Sequence, residues 1–133
     1  VERVFSGVDI VIHAGDMTGV AVHEYLSRWD LKAVAGNMDE MELKTIVPAK
    51  RIEELEGRRI GIVHGRGTPF GIEDVVAREF DGVDIIIFGH SHIPMNGRRG
   101  RVYMLNPGSY RSSKTVAILE LGEEIKFKLM EVR

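Results

Sequence analysis

The apolar residues of this chain fall into short, nearly continuous runs, each followed by a polar turn that contains glycine. Two of these runs, residues 8–13 and 83–88, are rich in β-branched side chains and are typical of central strands covered on both faces. Similar runs at 31–36 and 59–65 also end in glycine. The pattern predicts four strands whose carboxyl ends lead into loops.

Helical spacing separates some of these runs. Apolar residues recur at intervals of three and four within residues 22–29 and again within 71–80, which predicts two amphipathic helices. In the last third, residues 102–105, 115–119 and 125–129 read as strands without a helix between them, so they are expected to be antiparallel. This order of strands and helices indicates an α/β sandwich with mixed sheets. In such folds, ligands bind beyond the carboxyl ends of the strands.

Composition and charge limit the kinds of site and partner that this chain can have. A chain of 133 residues with 44% apolar content fits a single domain over residues 1–133. It has no cysteine, which excludes thiolate metal sites and cysteine nucleophiles. Its 18 basic and 20 acidic residues give no general attraction to nucleic acid or to anionic membranes. No apolar run is long enough to span a membrane, and a cytoplasmic location is predicted.

Five possible nitrogen and oxygen ligands follow the predicted strands. They are Asp16, Asn37, His64, His90 and His92. Because strand ends of one direction meet at the same edge, these side chains are expected to converge. The two histidines at 90 and 92 follow Gly89 at a spacing that suits two neighbouring ions.

These residues sit in short motifs that resemble a known family. His-Ala-Gly-Asp at 13–16, Gly-Asn-Met-Asp at 36–39, Val-His-Gly at 63–65 and Gly-His-Ser-His at 89–92 look like successive motifs of the calcineurin-like metallophosphoesterases. Asn-Pro-Gly-Ser at 106–109 is similar to the small bacterial and archaeal phosphodiesterase branch. The resemblance covers nearly the whole chain in family order and implies an α/β/β/α sandwich.

The resemblance also implies a dinuclear metal centre. Asp16 would bridge two divalent ions, manganese being the first expectation and nickel, iron or zinc the alternatives. Asn37, His64 and His90 would complete the ligands of one ion, and His92 would bind the other. A hydroxide that bridges the ions would attack phosphorus, which makes the expected activity that of a phosphodiesterase. Asn37 would also donate a hydrogen bond to the phosphate.

This sequence departs from the family pattern at two points. The opening Asp-x-His motif is absent from the 133 residues, so the ion held by His92 lacks two expected ligands. Either those residues lie upstream of Val1 or the site has been lost; the start at Val1 and the immediate first strand favour an N-terminally truncated chain. Met38 stands where many members have a histidine that protonates the leaving group, and Asp39 is the expected partial substitute.

Positive charge for the substrate phosphate is expected from Arg66, and from the cluster Arg98, Arg99 and Arg101 if it is not simply a solvated hairpin loop. Each candidate residue also has a structural interpretation, for example helix capping by Asp16. His13 and His23 are expected to be structural or exposed.

Two other functions remain open. One is a non-catalytic protein-interaction scaffold, since the family also resembles the retromer subunit of this fold. The other is a nucleotide-binding module without hydrolysis. This function is less favoured, because the chain has no Gly-x-Gly-x-x-Gly or P-loop sequence. The expected partner is a small phosphate ester, and exposed sheet edges in the C-terminal part leave room for a homodimer.

Overall fold

The computed structural model describes residues 7–15, 27, 29–36, 44, 46–66, 71–91, 93–108 and 115–131. The elements whose bounds lie within these ranges are nine strands and the helix α1 (Ile72–Ala77), and residues 44 and 46 are also helical. The strands are β1 (Ile10–His13), β2 (Asp30–Ala33), β3 (Lys50–Leu55), β4 (Arg58–Val63), β5 (Ile85–Phe88), β6 (Met95–Arg99), β7 (Val102–Asn106), β8 (Thr115–Leu121) and β9 (Ile125–Glu131). Among these elements, no helix has the length and apolar character needed to cross a membrane.

The largest sheet has five strands in the order β3-β4-β5-β7-β6. Strands β4, β5 and β7 are parallel, whereas the two outer strands pair antiparallel with their neighbours. All four residues of β5 are buried because both faces of the sheet are covered. Ile86 and Phe88 pack in a cluster with Ile72 and Val76 of α1, which covers one face.

A second layer of strands covers the opposite face. Strands β1 and β2 form a parallel pair, and β8 and β9 form an antiparallel hairpin. Ile12 of β1 and Leu119 and Phe127 of the hairpin pack on the cluster that contains Ile60 and Ile85. The layers are therefore the helix, the mixed five-stranded sheet and the second layer of strands. This arrangement confirms the predicted α/β fold class. The helix predicted over residues 22–29 falls largely outside the described residues.

Three strand predictions need correction. Strands β3 and β6 were not predicted, because their sequences, Lys-Arg-Ile-Glu-Glu-Leu and Met-Asn-Gly-Arg-Arg, are charged edge strands without an apolar run. Strand β7 was expected to be antiparallel to the two strands that follow it, but it belongs to the five-stranded sheet, where it pairs parallel with β5 and antiparallel with β6. The chain leaves β5, turns back along β6 and reverses again at the β6–β7 hairpin, which restores the direction of β5. The antiparallel prediction is confirmed for β8 and β9.

Candidate metal centre

His64 follows the last residue of β4 and lies buried at the carboxyl edge of the five-stranded sheet, with 5% of its surface exposed. Its Nδ1 is 2.8 Å from the carbonyl oxygen of Ala14, just past β1. A carbonyl only accepts hydrogen bonds, so Nδ1 carries the hydrogen and the neutral ring has a lone pair at Nε2. A histidine whose other nitrogen donates to a backbone carbonyl is in the arrangement usual for metal ligands.

Glycines make room for this ring. Gly15 has φ +101, and a Cβ there would lie 2.6 Å from His64 Nδ1 and 3.0 Å from the Cα of Gly36. A Cβ on Gly89 would lie 3.1 Å from the Ala14 oxygen and 3.4 Å from His64 Nδ1. The loops after β1, β2 and β5 therefore all close on His64. Of the five side chains expected to converge, only those of His64 and His90 belong to the part of the chain that the structure describes.

His90 supplies the second imidazole of this corner. Its backbone is in the left-handed region, with φ 66, which non-glycine residues adopt at a cost of roughly 1 kcal/mol. Its Nδ1 is 3.3 Å from His64 Nε2, and the two rings meet edge to face at 81°. Since His64 Nε2 has the lone pair, the hydrogen between the two rings belongs to His90 Nδ1. Backbone strain that is maintained in this way is common at functional sites.

The histidine pair fits two ligands of one divalent ion. Two nitrogens that are each about 2.1 Å from a shared ion, at an angle of about 90° to 110°, lie roughly 3.0 to 3.4 Å apart. The observed 3.3 Å falls in this interval. For His90 Nδ1 to serve as a ligand, its hydrogen would have to move to Nε2, which leaves a lone pair on Nδ1. The family resemblance assigns both residues to the same ion, and that assignment stays a prediction.

Asn106 holds the loop that carries His90. The side chain is fully buried at the end of β7, where its Nδ2 donates to the Gly89 oxygen at 3.2 Å and to Ser91 Oγ at 3.1 Å. Its Oδ1 accepts from the Gly108 amide at 2.9 Å. Sequence analysis treated Asn106 only as part of a family motif or turn and missed this role. The available signal was a polar residue at the end of an apolar strand.

The other predicted site residues have different outcomes. Asp16, Asn37, Asp39 and His92 lie outside the described residues, so their roles stay predictions. Arg66 is described, and it lies exposed two residues past His64. In the part of the chain that the structure describes, no group of three or more His, Asp or Glu side chains is arranged to hold a metal ion.

Two further residues have structural contacts. His13 Nδ1 accepts a hydrogen bond from the Gly15 amide at 3.1 Å, in line with the structural role expected for it. The guanidinium of Arg98 lies 4.2 Å from the centre of the Tyr103 ring and donates to its hydroxyl, and Arg99 pairs with Asp74. Arg98 and Arg99 therefore take part in contacts within the fold, around the β6–β7 hairpin.

Comparison with known proteins identifies the family. Residues 1–124 match the model of the calcineurin-like phosphoesterase superfamily domain. The chain belongs to this superfamily. Its members generally bind divalent metals, which agrees with the two neighbouring imidazole rings of His64 and His90.

Three curated relatives carry names that indicate different functions. A probable metallophosphoesterase of Methanocaldococcus jannaschii is 34% identical over 96% of this chain and 69% of its own length. The phosphodiesterase YfcE of Escherichia coli is 34% identical over 58% of this chain and 42% of its own length. The vacuolar protein sorting-associated protein 29 of Schizosaccharomyces pombe is 30% identical over 92% and 68%.

Solved structures confirm the fold. The solution structure of a Thermotoga maritima protein is 32% identical, with a TM-score of 0.76, and the match covers 97% of this chain and 84% of that one. The family, its metallophosphoesterase fold and the likeness to the YfcE branch therefore agree with the motifs read from the sequence.

Proposed function

We propose that this chain forms the metal-binding core of a divalent-metal-dependent phosphodiesterase, a hydrolase of phosphate esters. The observation that carries the proposal is the pair of imidazole nitrogens, His64 Nε2 and His90 Nδ1, 3.3 Å apart at a converging set of strand ends. The hydrogen bond from His64 Nδ1 to Ala14 selects the tautomer that a metal ligand needs. The names of the phosphoesterase relatives support the same reaction class.

The residues of the chain divide the work as follows. His64 and His90, with Asp16 and Asn37, would hold one ion, most simply manganese, and Asp16 and His92 would hold a second. Bound ions would supply an acidified water and neutralise the oxygens of the phosphate. Asn37 would donate its amide hydrogen to the phosphate, and Arg66 would attract the anion. Asp39 would exchange a proton with the leaving group, a task for which Met38 has no hydrogen.

Hydrolysis of bis-p-nitrophenyl phosphate tests this function. We expect turnover in the presence of Mn²⁺ that is lost with EDTA and falls in both Asp16→Ala and His90→Ala, because each substitution removes a predicted ligand. His23→Ala is the matched control, since it removes an imidazole that was assigned no role in the site. Activity that persists in EDTA, or in His90→Ala at the level of the unmodified protein, would contradict the proposal.

A second function is favoured by one specific observation. The chain is 30% identical, over 92% of its length, to the vacuolar protein sorting-associated protein 29 of Schizosaccharomyces pombe. A chain of this kind would use the same fold as a surface for binding another protein and would not hydrolyse esters. Metal binding without turnover in the assay above is the result that this alternative predicts.

A further inference from the structure

A surface cavity of about 300 Å³, open to solvent and here called the side cavity, lies next to His64 between the end of β4, helix α1 and the start of β3. Its apolar wall consists of small side chains, namely Ala35, Ala49, Val63, Val75 and Val76. Pockets that bind organic ligands are typically this size or larger and combine an apolar wall with a few polar groups. The side cavity has this composition, and it shares His64 with the candidate metal centre.

The charged groups of the side cavity are unevenly compensated. Lys50 Nζ donates to the carbonyl oxygen of Glu79 at 3.0 Å and to its carboxylate at 3.2 Å, so this pair is close to neutral. Arg66 also lines the cavity, and it forms no hydrogen bond or ion pair with the residues that the structure describes. One uncompensated positive charge therefore lies two residues from His64, at the side of an apolar space.

We propose that the side cavity binds the organic group of the substrate, and that this group is a single flat ring, as in an aryl phosphate or a comparable cyclic ester. The placement of the phosphate at His64 and His90 rests on the proposed function. Arg66 then contacts the phosphate, while the ring lies between Ala49 and Val75. A volume of about 300 Å³ lies at the lower end of the range for pockets that bind organic ligands, so the space accommodates a ring with small substituents.

Binding of two simple probes tests this assignment without any turnover. The protein is titrated with phenyl phosphate and with methyl phosphate in the presence of Mg²⁺, which is diamagnetic, and amide chemical shifts are followed by NMR. Each buried CH group contributes about a fourfold gain in affinity, so a partly buried ring gives at least about tenfold. We expect phenyl phosphate to bind at least about tenfold more tightly and to shift the amides of Ala49, Val63 and Val75.

A filled cavity provides the decisive comparison. Ala49→Trp places a large side chain in the space from an exposed position, and we expect it to reduce the affinity ratio of the two probes to near one. Ile52→Trp is the matched control, since Ile52 is also exposed and lies three residues away but does not line the cavity. If Ala49→Trp does not fold, Val75→Phe replaces it.

Several results would overturn the inference. These are equal affinities of the two probes in the unmodified protein, binding of neither probe, or a ratio that the cavity-filling variant leaves unchanged. Failure of the proposed function is recognised separately, as a protein that prefers phenyl phosphate and does not hydrolyse bis-p-nitrophenyl phosphate. Hydrolysis together with equal probe affinities would retain the proposed function and remove the side cavity.

Discussion

The ends of β4 and β7 carry the two buried polar side chains found among the described residues, and they use them in opposite ways. His64 directly follows β4 and Asn106 is the last residue of β7, and both lie almost completely out of solvent. A buried polar group must be hydrogen-bonded or it destabilises the fold. Asn106 meets this need with three bonds to backbone and Ser91 atoms. His64 meets it at Nδ1 and directs Nε2 to His90.

The difference lies in how many polar atoms the surrounding chain occupies. At β7 the amide is fully occupied in fixing the loop that carries His90, so its contribution is structural. At β4, Nδ1 of His64 is bonded to the backbone of Ala14, and Nε2 faces the ring of His90, a second side chain of a type that binds metals. The end of β4 should therefore be sensitive in activity, and the end of β7 should be sensitive in stability.

The largest expected effect is on activity, at His64. His64→Ala removes a proposed metal ligand, and we expect kcat/KM for bis-p-nitrophenyl phosphate to fall by at least roughly a hundredfold, the upper end of what residues that only orient a ligand cause. The free energy of unfolding without metal should fall by about 2 kcal/mol, because the hydrogen bonds of the ring to Ala14 and His90 are lost.

Thermal unfolding with and without Mn²⁺ separates the two contributions. Metal that binds the folded state raises the melting temperature, so Mn²⁺ should raise it in the unmodified protein and much less in His64→Ala. An equal rise in both proteins would show that His64 does not ligate the ion, and the contrast between the two strand ends would be lost.

The next largest effect is expected on stability, from a substitution that fills the space around the His64 ring. Gly15→Ala places a Cβ 2.6 Å from Nδ1 at a residue with φ +101. Backbone strain of about 1 to 2 kcal/mol adds to the cost of moving the ring or the Gly36 backbone. We expect unfolding by chemical denaturant to show a loss of about 3 kcal/mol, together with reduced activity.

Gly57→Ala is the matched control for this substitution. Gly57 also has a positive φ, of +75, in the turn between β3 and β4, but an added Cβ would meet nothing within 4 Å. It should cost only the backbone strain, about 1 kcal/mol, and leave activity unchanged. Equal losses at Gly15 and Gly57 would mean that close packing at His64 contributes nothing beyond the strain.

Sequence patterns predicted the interior of the sheet better than its edges. The run at 83–88 was recognisable because β5 is covered on both faces and needs apolar side chains throughout. Strand β3 has charged residues even on its half-buried face, where Arg51 and Glu53 form an ion pair. A pattern of alternating apolar and polar residues cannot find such a strand, because tertiary contacts replace its apolar positions.

The candidate site shows a similar division. His64 and His90 were identified from glycine-containing motifs after predicted strands, and the structure brings their rings together. The role of Asn106 in orienting the loop of His90 could not be predicted, because hydrogen bonds between residues 15 or more positions apart leave no local pattern. The predicted roles of Asp16, Asn37, Asp39 and His92 remain predictions from motifs alone.

The smallest of the three expected effects is at Asn106, where stability should change more than chemistry. Asn106→Ala removes the partners of the Gly89 carbonyl and the Gly108 amide, and we expect the free energy of unfolding to fall by about 2 kcal/mol. Activity should fall by no more than roughly tenfold, because the loop of His90 loosens while both imidazoles are retained.

Ser91→Ala is the finer control for Asn106, since it removes the bond between Asn106 Nδ2 and Ser91 Oγ, together with two local bonds between Ser91 Oγ and the Ile93 backbone, and leaves the other bonds of Asn106 in place. A loss of about 1 kcal/mol is expected. If Asn106→Ala instead abolishes turnover while unfolding at the same denaturant concentration as the unmodified protein, Asn106 acts in the chemistry. The division between a reactive end at β4 and a structural end at β7 would then be wrong, and the two buried side chains would have to be regarded as one site.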